Sequence, residues 1–241
     1  IDRSRGLGDV YKRQEMNLKE KIEELYFKIN SAQRKNGLNH QVEIVGVTKT
    51  RPFSYIEESY TAGLRHIGEN RIQEAESKFG SFSNMRKLKK RFIGHLQSNK
   101  SKRCVELFDA IDSVSSIKTL KKVKRHSLEL NKRMSLFIEI NTSNESQKHG
   151  FHPDQKHEIL ECFDCGGRSI EGLMTVGPNT SNIQSIRNAF TTLRKTKDWV
   201  ESETGRKIKH LSMGMSGDYE IAVEEGSTMI RVGSFLYGPR S

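Results

Sequence analysis

At 241 residues, with 34% hydrophobic and 29% charged side chains, the chain can form one barrel-sized domain or two small ones. No apolar run is long enough to span a bilayer, and the N-terminus lacks the apolar segment of a secretory signal. A formal charge of +11 attracts polyanions without specificity. The basic residues are spread over helical faces, with no zinc-finger, aromatic RNA-binding or helix-turn-helix signature beside them, so they read as solvated surface rather than a specific nucleic-acid site.

The first residues stand apart from the rest. Asp9-Val10-Tyr11-Lys12-Arg13-Gln14 matches the in-frame translation of a common transposon-end sequencing adapter. Residues 1–15 are therefore expected to be a non-native leader, with Met16 the natural start and 16–241 the folded domain. A helical pattern over 16–36 follows. The apolar run 42–47 predicts a first strand, which closes on Lys49. Further apolar runs at 64–68, 91–96, 110–114, 136–140, 170–176, 210–215 and 229–232 predict seven more strands. Helical patterns at 55–62, 71–85, 100–107, 117–130, 155–162, 183–204 and 219–225 separate them. Strands alternating with single helices imply right-handed βαβ units and a parallel sheet. Eight such strands without a low-complexity linker predict a single-domain (β/α)8 TIM barrel of the α/β class, with an extra N-terminal helix. A doubly wound open sheet is the rival, but no G-x-G-x-x-G follows the first strand.

In such barrels the chemistry sits at the C-terminal ends of the strands, with phosphate commonly held after strands seven and eight. Lys49 ends strand one, Asn70 follows strand two, and His95 closes strand three. Met174 ends strand six, Ser212 belongs to the strand-seven segment, and Gly233 and Ser234 follow strand eight. With side chains alternating along a strand, Val45, Val47 and Lys49 share one face, as do Arg231 and Gly233. Burying a Lys and an Arg in apolar strands requires an anionic or carbonyl-bearing ligand to offset desolvation. Pyridoxal phosphate meets both demands: its aldehyde forms a Schiff base with a lysine, and its pyridine nitrogen takes a protein partner such as Arg231. Glycines at 214 and 233 would let backbone amides approach a phosphate.

No metal site is expected. The three cysteines, Cys104, Cys162 and Cys165, imply no disulfide framework and suit a reducing, cytoplasmic setting. The spacing Cys162-Phe163-Asp164-Cys165 lacks the two further ligands zinc needs, and His149, His152 and His157 have no carboxylate at diagnostic spacing.

The segments Val45-Gly46-Val47-Thr48-Lys49-Thr50-Arg51-Pro52 and Ile67-Gly68-Glu69-Asn70-Arg71-Ile72-Gln73-Glu74 resemble the pyridoxal phosphate homeostasis proteins, the YggS/PROSC family. The likeness continues through Phe92-Ile93-Gly94-His95-Leu96-Gln97-Ser98-Asn99-Lys100 and Ile170-Glu171-Gly172-Leu173-Met174-Thr175. It closes on Leu211-Ser212-Met213-Gly214-Met215-Ser216-Gly217-Asp218 and Arg231-Val232-Gly233-Ser234-Phe235-Leu236-Tyr237-Gly238.

The resemblance implies a barrel related to the N-terminal domain of alanine racemases, with pyridoxal phosphate on Lys49. It further implies phosphate contacts from Ser212, Gly233 and Ser234, Arg231 at the pyridine nitrogen, and Asn70, His95 and Met174 lining the pocket. The implied function is non-catalytic: intracellular buffering or delivery of the cofactor, with pyridoxal phosphate-dependent apo-enzymes as recipients. A racemase of the same barrel type is the alternative. It needs a proton-transfer group on each face of the substrate, and the related racemases draw one from a further β-domain that does not follow strand eight here. No catalytic residue, specific nucleic acid or membrane is expected, and a monomer is.

Overall fold

The computed structural model describes residues 16–81, 85–143 and 145–239, so the leader expected over 1–15 lies outside the described residues. Helix α1, Leu18–Lys35, begins with a capping box: Asn17 accepts from the Glu20 amide while the Glu20 carboxylate accepts from the Asn17 amide. From there strands and helices alternate: β1 Glu43–Val47, α2 Ser54–Thr61, β2 His66–Glu69, α3 Ile72–Phe79, β3 Lys89–Phe92, α4 Ser101–Leu107, β4 Ala110–Val114 and α5 Ile117–Glu129. The second half comprises β5 Ser135–Glu139, α6 Lys156–Gly166, β6 Ile170–Met174, α7 Ile183–Thr204, β7 His210–Met215, α8 Tyr219–Glu224, β8 Met229–Val232 and α9 Ser234–Tyr237.

All eight strands pair in parallel with their sequence neighbours, and β8 returns to β1 through Val45 opposite Arg231, which closes the barrel. This is the (β/α)8 architecture expected from the alternation. Outward residues such as Ile67, Phe92, Ile111, Leu136 and Leu173 join the main apolar cluster beneath the helices. The last helix, α9, has four residues and cannot cover β8 and β1. Helix α1 does so instead: Leu25 and Ile29 pack with Ile44, Ile230 and Val232.

The barrel interior is built in layers. At the N-terminal end Arg91 is buried and grips Asp112, Nε to Oδ2 at 2.8 Å and Nη2 to Oδ1 at 2.7 Å, with its guanidinium over the Phe137 ring. His66 and His210 flank this pair; burial foremost, then nearby cations, lowers them to about 3 and about 4, so both are neutral near pH 7. Above it, Val45, Phe137, Met174 and Met229 form a small apolar plug.

Several boundaries differ from the sequence expectation, and two of them bear on the site. The third strand begins at Lys89, because Asp109 accepts from the Lys90 amide and β2 pairs from His66 opposite Lys89. It ends at Phe92, so His95 lies beyond the ladder on an exposed loop. The helix expected over 71–85 spans Ile72–Phe79. Cys162 and Cys165 both sit within α6, and burial lifts the Cys162 thiol to about 12, far from a redox-active thiolate.

Candidate functional site

At the C-terminal rim, β1 ends at Val47 and Lys49 follows in a half-buried turn. Asn70 comes directly after β2, and the next loop folds tightly over it: a Cβ on Gly94 would lie 2.2 Å from the Asn70 carbonyl oxygen. His95 stacks on His149 with ring centroids 3.5 Å apart, joining the loops after β3 and β5. Burial foremost, and the neighbouring His149, lower its pKa. Met174 ends β6 inside the barrel plug.

Arg231, from β8, is 5% exposed and held rigidly. Nη1 donates to the Ser212 carbonyl at 2.9 Å and to the Ser212 hydroxyl at 2.7 Å; Nη2 donates to the Thr175 carbonyl at 2.8 Å. Thr175 is fixed in turn by donating to the Ile140 carbonyl at 2.7 Å. Among the described residues the hydrogen bonds of Arg231 use Nη1 and Nη2, which leaves the Nε–H direction for a ligand. Burial lowers its pKa, opposed by Asp112, Asp218 and Glu139, and an arginine so placed keeps its proton. Ser212, fully buried, is thus an anchor of Arg231 in this structure.

After β8, Gly233 lies against β1, where an added Cβ would meet the Val47 carbonyl at 3.3 Å. Its amide and that of Phe235 both point at the Ser216 hydroxyl oxygen, at 3.3 and 3.2 Å. Two amides converging on one oxygen form a small nest able to hold an anion's oxygen. Ser234 opens α9 beside them and is exposed.

Three further side chains at this rim escaped the sequence reading. Glu139, ending β5, is 9% exposed, and its Oε2 is buried without a hydrogen-bond partner. Burial pushes it up to about 7 against the pull of Arg231. A cavity of about 210 Å³ opens over it, lined also by Asn141, Lys148, His149 and Val176. Asp218, raised by burial, accepts from the Met215 amide. Ser216, like Asp218, belongs to the segment 211–218, in which the sequence reading names Ser212 as the phosphate's hydroxyl partner. A charged residue inside an apolar run, the signal that exposed Arg231, also marked Glu139.

Comparison with known proteins agrees with this architecture. The family model of the alanine racemase N-terminal domain matches residues 24–241, which sets the class as that barrel. A pyridoxal phosphate homeostasis protein of Aquifex aeolicus is 33% identical over 227 residues, 93% of this chain and 99% of the relative. Another, from Synechocystis, is 36% identical over 200 residues, 83% and 92% of the two chains. The structure of PipY from Synechococcus elongatus without PLP superposes with a TM-score of 0.82 at 31% identity, covering 92% of this chain and all of the other. PipY with PLP bound gives 0.79 over the same extent. The chain belongs to the family of pyridoxal phosphate homeostasis proteins, within the alanine racemase N-terminal class. Alanine racemase from Clostridium difficile, at 18% identity and a TM-score of 0.70, shares the fold.

Proposed function

We propose that this protein binds pyridoxal 5'-phosphate through a Schiff base on Lys49 and serves intracellular homeostasis of that cofactor, by buffering or delivery, without catalysing a reaction of its own. The observation that carries this reading is Arg231, a cation buried in β8 and locked by three hydrogen bonds from Nη1 and Nη2, none of which uses Nε. The donor set fits the group. Lys49 supplies an amine at the rim, Arg231 a fixed cation for a ring nitrogen, and the Gly233 and Phe235 amides a nest for a phosphate oxygen. Ser212 and Met174 support that arrangement from below, Ser234 borders the nest, and Asn70 and His95 line the adjoining loops.

Pyridoxal phosphate, when bound, supplies an electrophilic carbon for an amine and an electron-withdrawing ring. The residues restrain the second property. A permanently protonated Arg231 would donate to the ring nitrogen and oppose its protonation, weakening the ring as an electron sink. Reversible attachment to Lys49 needs no such sink. Racemisation needs one, together with two opposed proton-transfer groups.

The same reading takes the protein as a cytoplasmic monomer that supplies pyridoxal phosphate-dependent apo-enzymes. Its three cysteines are free thiols, consistent with a reducing compartment, and no helix among the described residues is long and apolar enough to cross a membrane. The test is incubation of cofactor-loaded protein with L- and D-alanine in D2O. No α-proton exchange, with cofactor still transferable to an apo-transaminase, is expected; exchange at enzymatic rates would establish the racemase instead.

A further inference from the structure

Lys49 lies between two threonines, and both are tethered from outside the barrel. Thr48 is fully buried, and its hydroxyl donates to Glu69 Oε1 at 2.6 Å. The Lys78 ammonium, 7% exposed on α3, donates to three oxygens: the Thr48 carbonyl at 2.9 Å, Glu69 Oε1 at 2.8 Å and Glu74 Oε1 at 2.6 Å. The Thr50 amide donates to that same Glu74 oxygen. One buried ammonium and two carboxylates therefore hold the residues before and after Lys49.

Local geometry explains why the turn needs holding. Thr50 has a φ of +64°, in the left-handed region that a β-branched residue enters only at a cost. Left alone, the turn would relax to an ordinary conformation and re-aim the preceding residue. A buried lysine is itself costly to desolvate unless its protons are all engaged. If Lys78 served only to fix α3 to the barrel, any acceptor on β2 would suffice. Its partners instead include the turn's own backbone carbonyl and the carboxylate that receives the turn's amide.

We propose that Lys78, Glu69 and Glu74 form a positioning clamp that sets the placement and reactivity of the Lys49 amine. Lys78 is a positioning residue and does not itself touch the ligand. The inference rests on the reading of Lys49 as the attachment residue, and it names what tunes that residue. By the same logic the clamp transmits the position of α3 to the turn, since Glu74 and Lys78 lie one helical turn apart on that helix.

The experiment uses the full chain, with Lys78→Met and Glu74→Ala as variants. Val123→Ala, a remote core truncation on α5, is the control for loss of stability. First, in protein without added cofactor, Lys49 reactivity to limiting acetic anhydride is followed by peptide mass spectrometry across pH. The exposed Lys207 is the internal reference. Second, the rate at which added pyridoxal phosphate becomes trappable by borohydride on Lys49 is measured well below each unfolding temperature. A displaced amine predicts an altered Lys49 pH–reactivity profile and a trapping rate lower by about tenfold or more in both clamp variants. Val123→Ala should match the parent in both. If Lys78→Met does not fold, Glu74→Ala carries the test, since Glu74 lies at the clamp's outer edge. Unchanged profiles and rates in the clamp variants, or equal losses in the control, overturn the clamp. Failure of the parent protein to trap on Lys49 overturns the attachment reading instead, while the acetylation profiles still decide the clamp.

Discussion

Glu139 offers the sharpest test of the electrostatics at the barrel mouth. Its carboxyl is 9% exposed, has one oxygen buried without a partner, and is raised by burial from 4.5 to about 7 despite Arg231. Below pH 4.5 both the folded and the unfolded chain carry the proton. Between 4.5 and about 7 the unfolded chain releases it while the folded chain keeps it, so folding stability falls across that window. At about 1.4 kcal/mol per pH unit, the loss reaches about 3 kcal/mol by pH 8. Glu139→Gln keeps the shape and removes the titration. Urea unfolding of cofactor-free protein at intervals from pH 4.5 to 8 should show the variant gaining on the parent by about 3 kcal/mol over that range. The amide's own hydrogen-bond demand adds an offset of about 1 kcal/mol that does not vary with pH, so the slope is the readout. A difference between the two proteins that stays constant from pH 4.5 to 8 would refute the reasoning.

Three further outcomes are expected. Asp112→Asn leaves the Arg91 guanidinium buried without its counter-charge and should cost about 3–5 kcal/mol in chemical denaturation; a cost below about 1 kcal/mol would mean that water reaches the pair. Gly94→Ala drives a methyl group into the Asn70 carbonyl, a backbone contact that cannot simply rotate away. It should destabilise by about 1–3 kcal/mol and shift the Asn70 amide resonance, and an unchanged spectrum would mean the two loops are not packed as described. Lys49→Ala should abolish covalent attachment of pyridoxal phosphate while leaving weaker, phosphate-driven binding, measured by equilibrium dialysis and borohydride trapping; undiminished trapping would remove Lys49 from the site.

The barrel and much of its rim can be read from short apolar runs that alternate with amphipathic helical stretches. Parity groups Val45 with Lys49 and Arg231 with Gly233, and the fold sets Val45 and Arg231 opposite each other across the β1–β8 seam. What the sequence hides is mostly a matter of where hydrogen bonding stops. The apolar pattern of the third strand runs on past Phe92 although the ladder does not, so His95 looks like a strand terminus and is a loop residue. Lys78 resembles any solvated helical lysine. Only the fold shows Thr48, Glu69 and Glu74 arranged around its ammonium. Ser212 and Ser216 share one motif, and only the fold shows that the Ser212 hydroxyl accepts from Arg231 while the Ser216 hydroxyl accepts from the Gly233 and Phe235 amides. Helix α1 was legible as a helix, but its place as the cover of β8 and β1 follows from the brevity of α9.

The central claim, a pyridoxal phosphate site built on Lys49, is tested most directly by one spectrum and one peptide map. Purified protein mixed with pyridoxal phosphate is scanned in the visible range, reduced with borohydride, digested and mapped by mass. The account predicts a yellow absorption band that reduction abolishes and a single stable adduct on the peptide carrying Lys49. No band, or an adduct spread over surface lysines with Lys49 unmodified, would contradict it.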